Sequence, residues 1–176
     1  MTTEQLANTE FELYSSVHEL HKMEQTEKLN EKLNSVFASY KQVHKHYSDL
    51  AKEQDEALKR GLFIQWYAIT EPSYLTGIEE LDEEAENNII DLVEKKIQNN
   101  TIDNELKWML NYYTMWDYVF ERFKNRKGLR QLIANRTDGL PLGLVIDKIA
   151  MKKRGQMGTY WNSLNNLPNN ETNASR

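Results

Sequence analysis

Apolar positions recur at helical spacing almost from the first residue of this chain. Leu6, Leu13, Val17 and Leu20 step by seven, four and three residues, and Glu4, Glu10 and Glu12 lie toward the positive end of the helix they predict over 4–23. Continuing the series would put positions 24, 27 and 31 on the stripe, and all three are Glu, so a bend is expected between 23 and 28. A new register then starts. Leu29, Leu33, Val36, Tyr40, Val43, Tyr47 and Leu50 alternate steps of four and three, the heptad seam of packed helices. The seam weakens through Gln54, Ala57 and Gly61 but carries on to Ile64, which predicts one second helix reaching Thr70, about 65 Å long at 1.5 Å per residue. Such a rod is longer than a compact domain of this size needs, and it points to an elongated N-terminal helical arm.

Residues 58–78, LKRGLFIQWYAITEPSYLTGI, are the densest stretch. Leu62, Phe63, Ile64, Trp66, Tyr67 and Ile69 cover every face, which predicts a central buried helix, and Pro72 and Gly77 then turn the chain. A third helix is predicted over 78–98 from the stripe Leu81, Ala85, Ile89, Leu92, Val93 and Ile97, ending at Asn99 and Asn100. Thr101 or Asp103 caps a fourth, whose buried face runs through Leu106, Met109, Leu110, Tyr113, Trp116, Phe120 and Phe123. Gly128 ends that helix or breaks it before 129–135. The loop TDGLP (137–141) precedes a short last helix with Leu142, Val145, Ile146 and Ile149 on its stripe, ending at Gly155. The Asn- and Ser-rich remainder reads as a disordered tail. No alternating strand pattern reaches five residues, so the expected fold is all-α: a helical bundle over 57–154, an acidic, partly heptad-patterned helical arm over 1–56, and a tail over 155–176.

Composition adds exclusions. With no cysteine there is no disulfide framework and no thiolate chemistry. No run of about 18 uncharged apolar residues could span a bilayer. The acidic start MTTEQLANTEFEL does not resemble a secretory signal, and the cytoplasm is the expected location. Charge changes the picture more. Residues 1–121 hold 11 Lys and Arg against 24 Asp and Glu, whereas 122–154 hold 10 against 2. Arg122, Lys124, Arg126, Lys127, Arg130, Lys152, Lys153 and Arg154 are therefore candidates for an anionic partner, with Tyr160 and Trp161 as stacking groups. The competing account pairs these cations with the acidic helices, and puts Lys152, Lys153 and Arg154 at a helix C-terminus.

Reactive constellations are sparse. His18 and His21 share a helical face, but no Glu-x-x-His of a di-iron bundle occurs, and surface or half-buried histidines are expected. Glu71, before Pro72 in an apolar setting, is the carboxylate best placed for general acid–base work, yet no second group keeps a defined spacing to it. RGQMG at 154–158 lacks the Lys-Ser/Thr of a phosphate loop. No catalytic residue, cofactor or metal is assigned. The first functional reading is a non-enzymatic interaction or adaptor protein that meets a protein partner through the acidic arm over 1–56, the basic segment over 122–154, or both. The second is a nucleic-acid- or ribosome-associated factor using 122–154, and the third an enzyme whose pocket the sequence does not display.

Overall fold

A computed structural model describes residues 1–24, 26–135 and 147–164. Helix α1 (Thr3–Leu20) opens with a capping box in which Thr2 accepts the Gln5 N–H and Gln5 answers the Thr2 N–H. Helix α2 (Glu27–Leu50) starts where the three Glu break the stripe, with Thr26 accepting from Leu29. It does not continue to Thr70. Ala51 closes α2, Gln54 is extended, and α3 (Asp55–Thr70) folds back along it. The expected single long helix is thus a hairpin. A straight rod would leave the all-round apolar surface of 58–69 in water; the fold-back buries it against the α2 seam. Gly61 permits the close approach, since a Cβ there would lie 2.7 Å from the Ile89 side chain and 3.4 Å from Tyr47 Cβ.

The turn α4 (Ser73–Thr76) follows Pro72 and ends at Gly77 in the left-handed region, φ 75°. Asp82 caps α5 (Glu83–Gln98), and Asp103 caps α6 (Asn104–Tyr113) by accepting the Leu106 N–H at 2.7 Å. Helix α6 stops at Thr114 rather than running to Phe123. Trp116, Val119 and Phe120 lie in turns and Phe123 in a 3₁₀ turn; Phe120 and Phe123 are buried and Trp116 half-buried, whereas Tyr118 is exposed. Helix α7 (Lys127–Ala134) carries Gly128 in its first turn, not at an end. In the last part, α8 (Lys148–Met151) leads to Gly155, which begins α9 (Gly155–Leu164) where a C-terminus was expected. The first ten residues of the expected tail are therefore helical. The TDGLP loop, Pro141, the stripe residues 142, 145 and 146, and the tail from 165 lie outside the described residues.

Among the described residues there is no strand, and no helix is long and apolar enough to cross a membrane. The fold is an all-α helical bundle. One buried cluster runs through it: Leu6, Val17, Val36, Tyr40 and Tyr47 of the N-terminal helices share it with Phe63, Trp66, Ile89, Tyr113 and Trp161. The heptad seam faces this core, so residues 1–56 pack into the bundle instead of projecting from it. Trp66, 1% exposed, is the hub, stacked on Tyr113 at 4.7 Å and edge-on to Tyr112, Trp116 and Tyr160.

Candidate functional site: an acidic cleft

The ten residues singled out for an anionic partner do not form one surface. Arg122 donates two bonds to Glu86 and lies over the Phe123 ring at 4.6 Å. Arg126 pairs with Asp91 at 2.7 Å, and exposed Lys124 with its neighbour Glu121 at 2.7 Å. Arg154 is clasped between Glu56 and Glu105. Trp161 is buried, and half-buried Tyr160 shares a hydroxyl–hydroxyl bond of 2.7 Å with Tyr112. Lys127, Arg130, Lys152 and Lys153 are exposed and have no ion pair among the described residues.

Arg154 belongs to a chain of charge that ties distant segments together. Lys59 bridges Asp103 and Glu105; Arg154 joins Glu105 to Glu56; Arg60 joins Glu56 to the Thr3 carbonyl at 2.8 Å. Burial opposes ionisation of Glu105, yet Arg154 and Lys59 hold its carboxyl below the usual range. Next to Arg60 sits Glu10, 1% exposed, accepting from the Tyr47 hydroxyl and from the Gln156 N–H at 3.0 Å. Burial pushes its carboxyl up to about 7, against the pull of Tyr47, Gln156 and Arg60. Glu10 thereby caps the first turn of α9 from 146 residues away, and Gly155 has no side chain because a Cβ would collide with the carboxylate. Glu94 does the same for α7, accepting from Gly128 N–H at 2.7 Å and Leu129 N–H at 2.8 Å.

An open cleft of about 480 Å³ lies between the end of α3, the 79–83 segment and Arg122. Ala68, Ile69 and Leu81 make an apolar floor, and Glu79, Glu80 and Glu83 stand around it with no ion pair among the described residues. Glu86, its side chain 8% exposed, is neutralised by Arg122, which is 45% exposed. The core between α2, α3 and α5 also buries polar side chains. Gly61, Tyr47 and Ile89 define one level of the α2–α3–α5 packing. One turn toward the cleft, the antiparallel α3 presents Gln65, α2 presents His44, and α5 presents Glu86. His44 feels the charges of Asp82 and Arg122. His44 and Gln65 are both buried, and neither ring nitrogen nor either amide atom has a hydrogen-bond partner among the described residues. Burial lowers the imidazole to about 3, so His44 is neutral.

Glu71 is half-buried at the end of α3, and its charge reaches the hydroxyls of Tyr67, Tyr112 and Tyr160. No group of three His, Asp or Glu among the described residues could hold a metal ion. Glu10, Gln65 and Glu86 were not singled out as site residues in the sequence, and His44, expected like the other histidines at the surface or half-buried, is fully buried. A signal existed for two. Glu10 occupies the stripe slot between Leu6 and Leu13, and His44 sits four after Tyr40 and three before Tyr47. Comparison with protein families, curated proteins and solved structures finds no match to this chain.

Proposed function

We propose that this chain is a non-enzymatic interaction protein whose acidic cleft receives a basic segment of a protein partner. The cleft itself carries the reading: an apolar floor of Ala68, Ile69 and Leu81 bordered by three unneutralised carboxylates suits an amphipathic segment with positive charge. The expected route through the basic residues is weaker, because Arg122, Arg126 and Arg154 already neutralise acids of the same fold. The test uses the full chain and a labelled amphipathic peptide alternating leucine with lysine and arginine. Binding should weaken with salt and be lost in Glu79→Lys/Glu83→Lys with near-UV circular dichroism unchanged. Equal binding by wild type and variant would overturn the proposal.

A nucleic-acid reading keeps one observation in its favour, the exposed Lys127, Arg130, Lys152 and Lys153. It requires affinity for duplex DNA to fall with salt at a slope of about −0.9 per phosphate contacted. Unmeasurable binding at low salt would remove it.

A further inference from the structure

We infer that the aromatic rims of Tyr67, Trp116 and Tyr160, together with the Glu71 carboxylate, form a surface site for a quaternary ammonium group of the choline or trimethyllysine type. The site lies apart from the acidic cleft, whose lining includes none of these residues. At its base is buried Trp66, with the rings of Tyr67, Trp116, Tyr160 and Tyr112 around it at centroid distances of 6.0, 5.3, 5.1 and 5.7 Å. Tyr67 meets Tyr160 edge-on at 5.5 Å, Tyr112 meets Trp116 edge-on at 5.2 Å, and the hydroxyl bond of 2.7 Å joins Tyr112 to Tyr160, so the four rings make one arc. The arc opens to solvent. Tyr67, Trp116, Tyr160 and Glu71 are each only half-buried. The Tyr67 hydroxyl and the Trp116 indole N–H have no partner among the described residues and are not among the polar atoms sealed from water, so both tips reach the surface. Glu71 gives the arc its charge. Its carboxylate has no ion pair among the described residues, and its field reaches the hydroxyls of Tyr67, Tyr112 and Tyr160. No Lys or Arg acts beside it on Tyr67 or Tyr112, so an incoming cation meets no resident competitor there. Aromatic faces carry the negative end of the ring quadrupole and add to that attraction. The rings also select the kind of cation. A primary ammonium is strongly hydrated and brings three N–H donors, for which the arc has one carboxylate. A quaternary ammonium has no N–H to satisfy and lays its methyl groups and its charge directly on the rings.

The experiment titrates ¹⁵N-labelled full-length chain with choline chloride and, separately, with its neutral isostere, in which a tert-butyl group replaces the trimethylammonium, at constant ionic strength. The indole N–H of Trp116 and the backbone amides of Glu71, Glu79, Glu80 and Glu83 are followed by NMR. Choline should move the Trp116 and Glu71 signals, and the isostere, which has the shape without the charge, should bind roughly tenfold more weakly. Glu71→Gln, which removes no side-chain hydrogen bond or ion pair among the described residues, should keep the near-UV circular dichroism and weaken choline binding about threefold. A trimethyllysine peptide run beside its unmodified form separates the sources: binding tighter than choline means that a protein partner presents the group, and weaker binding means a free small molecule, both upholding the site. Equal binding of choline and its isostere, an unmoved Trp116 signal, or shifts confined to Glu79, Glu80 and Glu83 would each overturn the inference, and none of them bears on peptide binding in the cleft.

Discussion

Replacing Glu10 by Gln tests the link between the buried charge chain and the stability of the bundle. In the unfolded chain this carboxyl titrates near 4.5, and in the fold burial pushes it up to about 7. The folded state therefore holds the proton more tightly. The stabilisation associated with the protonated carboxyl is complete below about pH 4.5 and is lost as pH rises through about 7, after which the ionised group carries a constant cost. A difference of that size corresponds to about 3 kcal/mol at 1.36 kcal/mol per unit. Glutamine imitates the protonated form: its amide can donate to the Tyr47 oxygen while its carbonyl accepts the Gln156 N–H, the two contacts Glu10 makes. Urea unfolding at pH 5 and pH 8 should then give wild type and variant similar stability at the lower pH. At pH 8 the variant should be more stable by about 3 kcal/mol, a rise in Tm of about 6–12 °C for a chain of this length. A variant less stable at pH 8, or a gap that does not change with pH, would refute the reasoning. The first result would mean that Arg60 and the α9 N–H stabilise the ionised form more than burial opposes it.

Other outcomes follow from the same packing. Trp66→Ala should cost about 3–5 kcal/mol, because six aromatic rings lose their common neighbour; a melting curve within a degree or two of wild type would contradict this. Deleting residues 1–56 removes Glu10, Tyr40, Tyr47 and the Leu6–Val17 face from the core, so the truncated chain should lose near-UV circular dichroism while keeping helical far-UV signal, and a natively packed truncation would show that 57–164 forms its own core. Lys152→Glu/Lys153→Glu should leave urea unfolding unchanged. Arg154→Glu should destabilise by about 3–5 kcal/mol, since it sets a third carboxylate between Glu56 and Glu105; equal effects of the two changes would remove Arg154 from its structural role. Gly155→Ala should cost about 1–3 kcal/mol from its φ of 62°, with a further loss from contact with Glu10, read by the same unfolding curves.

Local pattern determined a good deal of this protein by itself. The stripe from Leu6 to Leu20, its break at three Glu, the seam from Leu29 to Leu50 and the cap at Asp103 each depend on neighbours within a turn or two, so spacing alone discloses the helices they shape. The burial of Trp66 followed from composition, since no face of its helix could be solvated. Tertiary structure decided the rest wherever the partner of a group lies far along the chain. A heptad seam says that a helix packs but not on what, so periodicity alone did not expose the turn at 51–54 that converts a rod into a hairpin. Glycine punctuates a sequence the same way whether it ends a helix or begins one, and only the carboxylates of Glu10 and Glu94, brought from other helices, made Gly155 and Gly128 starting residues. The basic run from Arg122 to Arg154 looked like an open surface because its neutralising acids, Glu86, Asp91, Glu56 and Glu105, lie between 35 and 98 residues away. The acidic cleft arises where the end of α3, the 79–83 segment and Arg122 come together, a juxtaposition that no spacing within a single helix encodes.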